Sequence, residues 1–215
     1  MIAMGMDISE QAPAALPTGR QAVAICIGHS RLRGDGQPEG GALAVDGTSE
    51  WAYNFALGNL VSISLAGQRI RAVVISDYGP GGYGTAMRNL RNRLLGMPGL
   101  KVAVELHFNS GTPTANGHEW LYWRESRAGH ALATALDRAM RRDVPGLKAR
   151  GAKPRDGEDR GAGFLRETPC PAVICEPFFG SHPHDWATAR DNISGIATSI
   201  ADGIASYLSN TEHRP

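Results

Sequence analysis

Ala22-Val-Ala-Ile-Cys-Ile27, followed at once by Gly28-His29, is the stretch on which the reading of the fold turns. A short apolar run rich in β-branched residues and closed by a glycine reads as a buried strand. The pattern recurs at 70–76 (IRAVVIS), 100–106 (LKVAVEL) and 171–176 (PAVICE), with 118–123 (HEWLYW) as a further strand. Helical periodicity fills the gaps between them. Leu57, Leu60, Val61 and Leu65 share one face of a helix over 49–66, and Met87, Leu90 and Leu94 mark a second, ended by Gly96 and Pro98. Ser126 caps a third helix carrying Leu132, Leu136 and Met140, and Ile193, Ile196, Ile200 and Ile204 define the last. Strands alternating with helices predict an α/β layer fold.

The remaining segments read as loops. Residues 31–47 and 79–84 are Gly-rich, and 144–166 is polar enough to be a long functional loop rather than a domain linker. Residues 1–20, with Pro13 and Pro17 and no periodic apolar face, read as a loose leader, so the domain runs from 21 to 215.

Composition narrows the class. A chain of 215 residues that is 42% hydrophobic suits one soluble domain. With 22 basic against 21 acidic residues it lacks the electrostatic footprint of a nucleic-acid binder. The 3 cysteines, Cys26, Cys170 and Cys175, follow no metal-finger spacing and read as reduced, buried thiols, which fits a cytosolic chain. No signal-like leader and no run near the roughly 20 apolar residues of a membrane span is present, so the chain is expected to be cytoplasmic as synthesised, without membrane insertion. No obligate protein partner is expected.

Metal-competent side chains stand where apolar strands end, which is where open α/β sheets place ligand sites. His29 follows the first strand, His107 the third, Glu176 closes the last, and Glu50 opens the first helix. Two imidazoles and one carboxylate suit Zn²⁺ and leave a fourth position for water; a further carboxylate is then needed to move protons. Each residue also has a structural reading. A strand-end histidine can simply be hydrogen-bonded, and Glu50 in a first turn already favours the helix dipole. Glu176, closing a buried apolar strand, needs a partner such as Arg150, Arg160 or Arg166, or a purpose.

Gly28-His29-Ser30, Gly41-Ala42, Ser49-Glu50, Glu105-Leu-His107-Phe-Asn109-Ser110 and the run Pro171 to Ser181 together resemble, in order, the zinc-dependent N-acetylmuramoyl-L-alanine amidases. The resemblance covers the chain from about Ala22 to the final helix and is nearest in character to phage or prophage endolysins. It implies a single domain with a twisted, mostly parallel sheet and helices on both faces. It implies one zinc ion on His29, Glu50 and His107, with Glu176 as the catalytic carboxylate. Arg150-Gly151 resembles an Arg-Gly element of the family, which makes Arg150 a candidate substrate contact, alongside Asn109 and His118. The implied substrate is peptidoglycan, cut between N-acetylmuramic acid and L-Ala, and the phage character implies holin-dependent release to the periplasm or wall.

Three other functions compete on the sequence alone. They are a zinc peptidase cutting within the stem peptide, a non-catalytic wall-binding domain, and a cysteine hydrolase built on Cys175. Trp120, Tyr122 and Trp123 could stack on sugars but suit a sheet core, and His182 and His184 read as loop histidines that bind nothing.

Overall fold

The computed structural model describes residues 21–30, 39–157, 159 and 161–212; the expected leader at 1–20, residues 31–38 of the first Gly-rich loop and Arg160 lie outside them. Six strands form one sheet in the order β2-β1-β3-β6-β4-β5. They are β1 (Ala22–Ile27), β2 (Arg71–Ile75), β3 (Leu100–Leu106), β4 (His118–Trp123), β5 (Ala149–Arg155) and β6 (Ala172–Glu176). The first four in that spatial order are mutually parallel; β4 pairs antiparallel with β6, and β5 runs parallel to β4. The sheet is mostly parallel as expected, with a reversed pair at one edge.

Helices cover both faces, because every central strand is apolar on both. One layer holds α1 (Glu50–Gly67), α3 (Arg127–Asp143), α5 (Pro183–Asp191) and α6 (Ile193–Glu212). Leu57, Val61, Leu132, Leu136, Trp186, Ile196, Ile200 and Ile204 are buried there against Val23, Ile25, Val104 and Cys175. The opposite layer holds α2 (Tyr83–Leu95) and α4 (Ala162–Glu167), whose Met87, Leu90, Leu94 and Phe164 meet Ala24, Cys26, Ala103, Leu121 and Ile174. Each large apolar side chain so buried contributes about 1.5–3 kcal/mol relative to exposure. α3 and α6 pack closely at Gly203, where an added Cβ would stand 2.9 Å from the Leu136 Cα.

Local signals explain most boundaries. Ser49 Oγ accepts from Ala52 N to start α1, and Ser126 Oγ accepts from Gly129 N to start α3. Two expectations need correction. Residues 144–166 are not one long loop: they contain β5 and α4. β5 is an edge strand of sequence ARGAKPR, and its lack of apolar alternation and its Pro154 are what an edge tolerates. The Ser181–Asp185 region is not a plain loop either, since His182 caps α5 and Pro183 occupies its first turn.

Candidate active site

β1 connects to β2 on one side and, through α1, β2 and α2, the chain returns to β3 on the other, so the order reverses between β1 and β3. A crevice opens at the carboxyl end of such a switch point. His29 leaves β1 there and His107 leaves β3 there. α1 brings Glu50 between them from its first turn.

The donor atoms of His29, Glu50 and His107 all lie within 4.8 Å of one another. Glu50, only 3% exposed, aims Oε1 at His107 Nδ1 (2.8 Å) and Oε2 at His29 Nε2 (3.3 Å). Backbone N–H groups of Ala42 and Phe108 donate to the same carboxylate at 3.0 and 3.1 Å. Burial alone would raise the Glu50 pKa, but the hydrogen bonds and charge of the two histidines override it and hold it down at about 2. His29 is shifted up chiefly by its hydrogen bond to Glu50. Burial opposes charge on His107, yet Glu105 and Glu50 outweigh it and its pKa is raised.

The backbone makes room for this cluster. A Cβ at Gly28 would stand 2.2 Å from the His107 ring, and one at Gly41, whose φ is +76°, would stand 2.6 Å from the His29 ring and 2.8 Å from Glu50 Oε2. His29 itself adopts φ 64°, a left-handed conformation that few non-glycine residues take. The cradle fits a tetrahedral cation of the zinc type: two nitrogens and one oxygen converge, and among the described residues no fourth protein donor closes the set.

Each outward histidine nitrogen has its own carboxylate. Glu39 Oε1 lies 2.9 Å from His29 Nδ1, and Glu105 Oε2 lies 3.3 Å from His107 Nε2. Tyr78 donates its hydroxyl to Glu105 at 2.9 Å. Carboxylates in these positions fix which ring nitrogen carries the proton and leave the other free to face a cation held in the cradle. Sequence reasoning gave Glu39 and Glu105 no role; for Glu105 the available signal was its two-residue spacing from His107, which puts both on one face of a strand.

Glu176 ends β6 on that same face. Its Oε2 is buried with no hydrogen-bond partner among the described residues, and burial pushes its pKa up to about 8. The structural alternative, an arginine partner, is not realised by the described arginines: Arg150 pairs with Glu119 and Arg166 with Glu167.

The other proposed contacts separate. Arg150 reaches the site edge, with Nε 2.6 Å from Glu119 Oε2 and its guanidinium 5.0 Å from the centre of the Phe179 ring. Asn109 donates Nδ2 to Glu119 Oε1 at 3.0 Å. His118 does not reach the site. It is 0% exposed on the opposite face, where Trp120 Nε1 donates to its Nδ1 under α3, because neighbours along a strand point to opposite sides. Cys175 fails as a nucleophile for the same reason: it is fully buried in the α1–α3–α6 layer, and desolvation raises its thiol pKa. His182 and His184 are likewise occupied, the first capping α5 and the second facing the Gly146 carbonyl at 3.3 Å.

An α/β sheet whose strand ends bring together two histidines, a carboxylate and a glutamate with one oxygen unpartnered among the described residues has the donor arrangement of a metal-dependent hydrolase. Residues 23–206 match the Amidase_3 family, N-acetylmuramoyl-L-alanine amidase, and the chain belongs to that family. It is therefore a peptidoglycan amidase, hydrolysing the amide between N-acetylmuramic acid and L-Ala. Solved structures agree. The catalytic domain of the CD27L endolysin targeting Clostridia difficile is 25% identical, covering 86% of this chain and 97% of that one, with TM-score 0.72. The catalytic domain of CwlV, an N-acetylmuramoyl-L-alanine amidase from Bacillus (Paenibacillus) polymyxa var. colistinus, is 27% identical over 88% and 98%, with TM-score 0.69. The CwlD amidase of Clostridioides difficile, solved in complex with the GerS lipoprotein, shares the fold at 21% identity over 88% and 99%, with TM-score 0.74. None of the curated proteins matches the chain.

Proposed function

We propose that this amidase is zinc-dependent, with the ion held by His29, Glu50 and His107 and the reaction's protons moved by Glu176. The observation that carries the reading is the convergence of three donor atoms within 4.8 Å beside a buried carboxyl oxygen that no other described residue hydrogen-bonds. Zinc, when bound, supplies a Lewis acid for the scissile carbonyl and lowers the pKa of an attacking water toward neutrality.

The chain's own residues do the rest. Glu50 is kept ionised, and the acceptors Glu39 and Glu105 orient the two imidazoles, so that both histidines present a lone pair inward. Glu176 accepts the proton of the attacking water and returns it to the departing L-Ala nitrogen. A carboxyl pushed up to about 8 can serve at both moments near neutral pH, as base and then as acid.

The likeness to an endolysin catalytic domain supports a lytic, phage-type role, in which a chain made in the cytoplasm reaches the wall on release. Among the described residues no helix is long and apolar enough to cross a membrane.

Digestion of purified peptidoglycan followed by mass spectrometry tests the reading. The expected products are glycan with unsubstituted lactyl groups and intact stem peptides bearing a free L-Ala amine, with activity abolished by a chelator and restored by zinc. Peptides cut internally, or activity that survives complete demetallation, would contradict it.

A further inference from the structure

The Glu119 cluster on β4 and β5 has no part in the chemistry above. Glu119 is buried, and Arg150 Nε (2.6 Å), Lys153 Nζ (3.0 Å) and Arg155 (3.9 Å) all face its carboxylate, with Asn109 donating as well. One carboxylate balances one cation. The three side chains stay partly open to solvent, at 30%, 34% and 28% exposure. The Arg150 guanidinium lies over the Phe179 ring, and Nε is the one guanidinium nitrogen for which a hydrogen bond is found among the described residues. Among the described residues the cluster therefore carries surplus positive charge on a preorganised scaffold, a costly arrangement if neutralising Glu119 were its whole purpose.

Its position relates it to the site. Glu119 is the register partner of Glu176 across β4 and β6, so both carboxylates stand on the same sheet face. β5 lies two strands beyond β6, about 10 Å away at the usual strand spacing. An extended peptide advances about 3.3 Å per residue, so a stem peptide leaving Glu176 toward this edge brings its second or third residue to the cations. The glycan of the substrate is uncharged near the scissile bond, whereas the peptide carries carboxylates.

We propose that Arg150, Lys153 and Arg155, organised by Glu119, form a carboxylate-binding subsite that recognises an anionic stem peptide; the proposal rests on the amidase reading. Arg150 supplies a planar fork and Lys153 a point charge, and a charge-assisted contact of this kind is worth roughly tenfold or more in affinity.

The test uses two soluble muramyl tetrapeptides that differ only in having free peptide carboxyls or the corresponding carboxamides. The wild-type protein is expected to favour the free acid by about tenfold or more in kcat/KM, expressed in KM, since binding at a remote group is uniform through the reaction. Lys153→Gln should reduce that preference to about threefold or less, and Lys153→Arg should keep most of it, with zinc content unchanged in both. Equal rates on the two substrates, or an undiminished preference in Lys153→Gln, would overturn the subsite while leaving the amidase reading intact. Failure of the wild-type protein to cleave either substrate or intact peptidoglycan would overturn the amidase reading, and the subsite with it.

Discussion

The β2-β1-β3 half of the sheet and the β6-β4-β5 half reach the same crevice by opposite routes. In the first half all strands run one way, and chemistry sits where they end: His29 after β1 and His107 after β3. In the second half β4 enters reversed, so that its beginning, Glu119, lies beside the end of β6, Glu176. One half assembles donors that hold each other, with Glu50 locked between two histidines. The other leaves Glu176 Oε2 without a hydrogen-bond partner among the described residues and surrounds Glu119 with cations. Two carboxylates on one site, the buried Glu50 and the half-buried Glu176, are thereby driven apart, one held ionised at about 2 and the other raised to about 8.

The contrast can be broken most forcefully at Glu176. Glu176→Gln should lower kcat by a factor of about 10² to 10⁴ while the protein keeps its metal and its melting temperature. Loss of metal together with activity would move Glu176 into the donor set and erase the distinction between the halves.

A smaller effect is expected at Glu105, which orients His107 from outside the donor set. Glu105→Gln should weaken zinc affinity about 10- to 100-fold in a competition titration. A variant that lost stability but bound zinc as tightly as the wild type would reduce Glu105 to a structural role.

The smallest effect concerns the two adjacent residues that open β4. Glu119 faces the site, and His118 is buried under α3, where desolvation depresses its pKa from 6.5 to about 4. A histidine depressed on folding stabilises fully above pH 6.5 and loses that contribution as pH falls toward 4, because the unfolded chain then binds the extra proton. The loss is on the order of 3 kcal/mol. Denaturant melts of the wild type and His118→Gln should therefore differ in slope between pH 6.5 and 4, the wild type falling more steeply. Parallel curves would contradict the buried, neutral state of His118.

These contrasts also explain what could be read from sequence. β1, β3 and β6 announce themselves because burial on both faces demands continuous apolar runs, and the residues that interrupt those runs at their ends are the ones with chemistry. β5 was illegible because an edge strand need not be apolar, and α4 because a six-residue helix shows less than two turns of period. His118 was expected among the substrate contacts, whereas its neighbour Glu119 is the residue that faces the site. Choosing between them needs the direction and pleat of β4, which depend on its antiparallel pairing with β6, a tertiary fact. Glu39 lay hidden for a similar reason, since it stands ten residues from His29 in sequence and no strand or helix period links the two.

The central claim is that His29, Glu50 and His107 hold one zinc ion that Glu176 does not. Metal analysis of the purified protein and two variants tests it most directly. The account predicts about one zinc per chain in the wild type and in Glu176→Gln, and none retained in a folded His107→Ala protein. A wild-type protein that binds no zinc, or a His107→Ala protein that retains it in full, would contradict the account.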